Sequence, residues 1–164
     1  MFHKAHDWLR LARELARHID EAAQRSAISR AYYAAYHRCL AWEKQLPSLG
    51  QDAGLHGVHA RLISRLHHPH GACSRHQAKR SRNLARLLQE QRQRRTTADY
   101  EWDDPISPTA VDKQLRAAAR VLSDCDRSAA GRSQLQVRVG AFPRDNYRSG
   151  HGARSHAQET GDPD

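Results

Sequence analysis

SAISRAYYAAYHRCLAW, residues 26–42, decides how this chain folds. Ala27, Ile28, Ala31, Tyr32, Ala35, Cys39 and Trp42 recur at three- and four-residue intervals and form one broad apolar stripe. That period belongs to a buried helix. The spacing predicts a helix from about Glu21 to Gln45, with Asp20 as its N-cap and Pro47 and Gly50 beyond its end. Arg30 and His37 are seven residues apart on it. At ~100° per residue they return to within roughly 20° of the same face, about 10 Å apart along the axis. Tyr33 and Ala34 lie between them, and the small Ala34 leaves room for something to approach.

Other helices are expected on both sides of this stretch. His3 to about His18 places Trp8, Leu11, Leu15 and Ile19 on one face, with Ala12 and Ala16 beside them. A short break is expected near Ile19–Ala23. PSLGQDAGLHG reads as a loop, and a third helix runs from Val58 to about Leu66 with Val58, Leu62 and Leu66 on one side. HHPHGACS is a second loop, broken at Pro69 and Gly71. The fourth helix spans about Arg75–Arg95 on a thin apolar set, Ala78, Leu84, Ala85, Leu87 and Leu88. TTADYEWDDPIS then reads as a loop. Ser107 is an N-cap with Pro108 at the first helical position. The fifth helix carries Val111, Leu115, Ala118, Ala119, Leu122 and Cys125 and ends near Asp126. From Ala129 the periodicity dissolves, and LQVRV alternates like a strand with no partner. The expected organisation is an all-α domain over residues 1–128 and a polar, disordered tail over 129–164.

Composition narrows the function. The chain has 164 residues, suited to one domain, with 38% hydrophobic and 6% aromatic residues. Its formal charge is +9, and only Lys4, Lys44, Lys79 and Lys113 are lysines. Arginine favours planar contacts with phosphate or carboxylate, so nucleic acid is the natural partner class. Five arginines against four acids in the tail leave +8 on residues 1–128. The segment 75–95 alone carries eight cations against Glu90, a net +7. Lys79, Arg80, Arg82 and Arg86 are its candidate RNA-binding residues. No apolar run is long enough to span a membrane, and the charged N-terminus does not read as a secretory signal. Cys39, Cys73 and Cys125 are scattered and odd in number, which points to a reducing, cytoplasmic setting rather than a disulfide framework. His67, His68, His70, Cys73 and His76 offer metal-type ligands, but without the paired spacing of zinc sites, so no metal is assigned.

Arg30 and His37 supply the two needs of metal-free RNA cleavage. His exchanges a proton near neutral pH, and Arg holds a phosphate and stabilises charge that builds on it. One histidine does not easily act as both base and acid, whereas two copies across a symmetric interface can. No cofactor is required. Asp99 is expected to hold Arg30 or another arginine, Tyr100 to pack, and Trp42 and Trp102 to anchor a core or interface.

Three segments together resemble the HEPN-domain family, particularly its small stand-alone prokaryotic members. SRAYYAAYH (29–37) looks like the family's core motif. HGVHARLISRL (56–66) resembles the start of its third helix, and RRTTADY (94–100) its Arg-x-x-Ala-Asp-Tyr segment. The likeness covers about residues 5–126. It implies an up-and-down bundle of four to five helices that dimerises. It also implies a metal-independent endoribonuclease with an Arg-x(4–6)-His motif, matched here by Arg30 and His37 at its longest spacing. The products would be a 2′,3′-cyclic phosphate and a 5′-hydroxyl. Such proteins serve as toxins or in phage defence, with a nucleotidyltransferase antitoxin. Tyr33 and Asp99 would support the site. Two positions depart from the pattern. Ala31 stands where ribonuclease members often have a polar residue. Cys39 stands where some toxins carry a tyrosine that the antitoxin modifies, leaving Tyr32, Tyr33 and Tyr36 as other targets. The alternatives are a non-catalytic HEPN module bound to a nucleotidyltransferase, and a basic helical protein that only binds nucleic acid.

Overall fold

Asp20 starts the helix on which the molecule is built: its carboxylate accepts a hydrogen bond from the Ala23 backbone N–H at 2.9 Å. That helix is α2, Glu21–Glu43. In the computed structural model, which describes residues 2–139 apart from Ala53, the other elements are α1 (Phe2–Leu15), α3 (Val58–His67), α4 (Arg75–Tyr100) and α5 (Pro108–Val139). Among the described residues every regular element is a helix, and none is long and apolar enough to cross a membrane. The other N-cap expected from the sequence holds too: Ser107 accepts from the Ala110 N–H before α5. Ser74 and Gln77, not singled out in the sequence, close a capping box on α4.

Helix α2 touches all four others, and side-chain contacts set their directions. The link 16–20 folds α1 back along α2. Arg25 of α2 reaches Ala98 near the end of α4, so those two run antiparallel. Ile28 meets Gln114 early in α5 and Arg38 meets Asp126 later in it, so α2 and α5 run parallel. The segment 44–57 returns the chain to start α3. Gly50 lies so close to α3 that a Cβ there would fall 1.9 Å from the Arg65 carbonyl oxygen. Gly57, at φ 86°, makes the turn into α3 that a side chain would strain.

Beside a small cluster of Ala27, Ile28, Ala98 and Val111, the main core is drawn from all five helices. Tyr32, Cys39, Trp42, Leu62, Leu66, Leu84, Leu88, Val121 and Leu122 are buried in it. Each large side chain removed from water contributes roughly 1.5–3 kcal/mol. The α2 stripe is buried as its spacing predicts, but α1 differs. It buries Ala5, Leu9 and Ala12, while Trp8 and Leu11 are exposed and Ile19 is 97% exposed beyond its end. Small residues win that face because Ala5 and Ala12 let α1 approach the alanines of α2 closely. Val58 is likewise exposed rather than packed.

Two further boundaries differ. Thr96–Tyr100 continue α4 instead of forming a loop, because Arg25 binds the helix end. Its guanidinium, 5% exposed in the residue as a whole, donates to the carbonyls of Thr97, Ala98, Glu101, Trp102 and Asp104, and doubly to Glu21. Helix α5 runs to Val139, so residues 129–139, expected in the tail, are helical, LQVRV included. The rest of the expected tail, 140–164, lies outside the described residues.

A second arginine ties three helices. Arg38 is 1% exposed and donates through Nε and Nη2 to Asp126 Oδ1 at 2.9 and 2.8 Å. His6 of α1 meets Asp126 Oδ2 at 3.0 Å.

These two arginines set the expected weak points. Arg25→Ala strips the final carbonyls of α4 and should cost about 3 kcal/mol, read as a melting temperature lower by about 10 °C. Arg25→Lys should recover little, because an ammonium cannot span Glu21 and the carbonyls together. An unchanged melting curve for Arg25→Ala would remove it from this role. Asp126→Ala leaves the Arg38 charge buried and should cost about 3 kcal/mol. Arg38→Met, which leaves only the half-exposed Asp126 carboxylate, should cost less. Denaturant titration of the two variants gives the order, and the reverse order contradicts the assignment.

Candidate active-site groove on helix α2

Tyr33 is the hub of the site. Its ring lies 6.1 Å from Trp8 of α1, 6.4 Å from His37 and 6.0 Å from His59 of α3, between centroids. The Arg95 guanidinium of α4 stands 5.7 Å above it, and Arg95 Nη2 donates to its hydroxyl at 3.4 Å. Four helices therefore meet at one half-buried tyrosine.

Arg30 and His37 flank this hub on the α2 face that their spacing predicts. His37 is exposed and packs edge-on against Tyr36 at 5.3 Å. The Arg30 guanidinium sits 5.2 Å over the Trp8 ring. Among the described residues it makes no hydrogen bond or ion pair with a carboxylate, so its five donors are open to an anion. Two cavities share Tyr33. One, of about 440 Å³, is lined by Lys4, Trp8, Ala34, His37 and Lys44. The other, of about 420 Å³, is lined by Ser29, Arg30, Arg95, Asp99 and Trp102. Thus Arg30 and His37 open into neighbouring cavities divided by the Tyr33 ring. Ala34, 1% exposed, forms part of the floor beside His37.

Asp99 joins the site through a different arginine than Arg30. Its Oδ2 pairs with Arg95 Nε at 2.6 Å, one helical turn back, and accepts from Ser29 Oγ at 3.3 Å. Tyr100 is 65% exposed under the Arg95 guanidinium rather than packed in the core. Trp42 is buried as expected, whereas Trp102 is 72% exposed with Arg25 over one face at 5.3 Å.

A second imidazole was not singled out by spacing. His59 lies 4.3 Å from the Tyr36 ring, and its Nδ1 is 3.0 Å from the Tyr32 hydroxyl. Tyr32 is fully buried, and desolvation pushes its phenol above the ordinary range, so it remains a donor. A Tyr32 O–H donated to Nδ1 leaves the His59 proton on Nε2. Burial first, then the charges of Arg95, Arg92 and His37, lower the pKa of His59 below the usual histidine value. Only the pairing of HGVHARL with the α2 tyrosines in space exposes this residue, because one histidine in a helix carries no periodic signal.

The basic helix divides its charges. Arg94 donates to Gln114 and Arg80 to the Asp124 carbonyl, so both serve the packing of α4 on α5. Arg86 pairs with Glu90 at 2.6 Å. Lys79, Arg82 and Arg86 are exposed. Arg86 and Arg95 are nine residues apart, which turns them about 180° around the axis. Lys79 and Arg82 lie about 160° and 140° from Arg95 by the same arithmetic, so three of the four predicted RNA-binding residues face away from Arg30, whereas Arg80 packs on α5. The cations beside the site are Arg92 and Arg95. In the His/Cys loop, His68 Nδ1 bonds the Ser64 carbonyl and His70 accepts from the Ala72 N–H. Among the described residues no three His, Cys, Asp or Glu side chains converge as a metal site.

No family model, curated protein or solved structure matches this chain.

The lowered pKa of His59 fixes the sign of its effect on stability. Neutral imidazole is favoured in the folded state, so the contribution is full above the unfolded value of ~6.5 and falls as pH drops from there toward the folded pKa. His59→Asn keeps an acceptor for Tyr32 and cannot titrate. Its melting temperature should decline less than the parent's between about pH 7 and pH 5. Parallel declines in a pH series of thermal unfolding would contradict this.

Proposed function

We propose that this chain is a metal-independent endoribonuclease of the HEPN type that works as a homodimer. The observation that carries the reading is Arg30, an arginine with no carboxylate partner among the described residues, on the same face of α2 as the exposed imidazole of His37, with open cavities beside both. In this reaction His37 takes the proton of a ribose 2′-hydroxyl as general base. The 2′-oxygen attacks the adjacent phosphorus, and the bond from phosphorus to the 5′-oxygen breaks. The leaving oxygen takes a proton and departs as a 5′-hydroxyl, while a 2′,3′-cyclic phosphate remains. Arg30 hydrogen-bonds the phosphate oxygens as their charge grows. A second copy of the chain, across a two-fold interface, supplies the second imidazole that one site needs as acid.

Arg95 and Asp99 hold Tyr33 and the α4 end beside Arg30 in this scheme. Lys79, Arg82 and Arg86, on the far face, would hold flanking RNA backbone in a salt-dependent way. The proposed cellular role is a cytoplasmic toxin or phage-defence effector, restrained by a nucleotidyltransferase antitoxin.

Purified protein should cut RNA in the presence of excess chelator and leave cyclic phosphate ends. Arg30→Ala and His37→Ala should each lower the rate by 100-fold or more, about 3 kcal/mol of transition-state stabilisation, with unchanged circular dichroism. Cleavage that survives either change at near the parent rate would overturn the assignment.

A further inference from the structure

The cavity beside Arg30 has the parts of a nucleotide site. It combines three arginines, Arg25, Arg30 and Arg95, with a single carboxylate, Asp99, and one indole, Trp102. The arginines differ in availability. Arg25 is spent on carbonyls and Glu21, and Arg95 on Asp99 and Tyr33, while among the described residues Arg30 has only the Trp8 ring. The indole of Trp102 is 72% exposed although Arg25 covers one face at 5.3 Å. An exposed indole on a cavity rim costs hydration free energy unless something flat covers it. Arg25 also fixes it, since the Trp102 and Asp104 carbonyls accept from the guanidinium at 3.3 and 2.7 Å. The platform is therefore held in place before any ligand arrives.

Asp99 adds an acceptor. Its Oδ2 pairs with Arg95 and accepts from Ser29, and among the described residues no hydrogen bond goes to Oδ1. A carboxylate oxygen held in this way accepts an N–H of a base edge or a ribose hydroxyl. A bare phosphate would use neither Oδ1 nor the indole, and an acidic peptide would be repelled by Asp99. A nucleotide uses all three features. The volume, about 420 Å³, lies within the range that takes one small ligand.

We propose that this cavity is a nucleotide subsite in which Trp102 stacks an unpaired base, Arg30 holds the attached phosphate and Asp99 Oδ1 accepts from the base edge or ribose. The proposal rests on the ribonuclease reading for its ligand, and it makes the substrate single-stranded RNA, because a base within a duplex has no free face to offer. A free mononucleotide carries the same chemistry and is separated by the experiment.

The test uses the full chain with a fluorescein-labelled, fully 2′-O-methylated oligoribonucleotide, which lacks the attacking hydroxyl and stays intact. Fluorescence anisotropy gives its affinity as a single strand and as a blunt duplex, and tryptophan quenching by a nucleoside monophosphate is followed in parallel. Trp102→Ala should weaken single-strand binding by about 5- to 100-fold. Trp102→Phe should retain most of it, and duplex binding through the basic face should be unchanged. Because Trp102 is largely exposed, circular dichroism of Trp102→Ala should match the parent. Quenching by the mononucleotide that disappears in Trp102→Ala, with oligonucleotide affinity intact, keeps the subsite and assigns it to a free nucleotide. Affinity and quenching both unchanged in Trp102→Ala overturn the subsite while leaving Arg30 and His37 to be judged on cleavage. A parent chain that binds neither probe overturns the subsite and the RNA reading together.

Discussion

Arg25 is the constraint from which the site follows. A helix that ends in Thr-Thr-Ala-Asp-Tyr has little intrinsic reason to persist, and its last carbonyls need donors. One guanidinium from α2 meets them, together with the carbonyls of Glu101, Trp102 and Asp104 just beyond. As a result Asp99 stays helical, one turn from Arg95, and Arg95 stays over Tyr33. The same contact parks Trp102 at the rim of the Arg30 cavity. The buried arginine bonds several carbonyls as well as the half-exposed Glu21 carboxylate, so its desolvation is offset by several hydrogen bonds at once without a second buried charge.

How much of this was legible in the sequence varies with the physics. The α2 stripe was readable because burial on nearly all sides leaves a dense periodic record. The caps at Asp20 and Ser107 were readable because short polar side chains act on their own backbone. The face of α1 was not. Two interleaved apolar stripes ran along it, and the choice fell to the one with Ala5 and Ala12, which depends on the alanines of a different helix. The end of α4 was missed because its determinant, Arg25, sits more than seventy residues earlier.

The site divides in the same way. Arg30, Tyr33 and His37 share a face by helical arithmetic alone. Asp99 reached the same neighbourhood, although paired to Arg95 and not to Arg30. His59, Trp8 and Arg95 come from three other helices and only the packing assembles them. Summed charge was the least reliable guide. It marked α4 as one basic surface, yet Arg80 and Arg94 serve the packing against α5.

The half-turn that separates Arg86 from Arg95 makes α4 a two-sided electrode. An anion only a few ångströms across meets one side at a time, because the helix body, ~10 Å wide, stands between them. A flexible polyanion long enough to round the edge of the bundle touches both and gains an effective concentration that no short fragment has. Chain length of the polyanion, more than its charge density, would then govern how tightly it is retained.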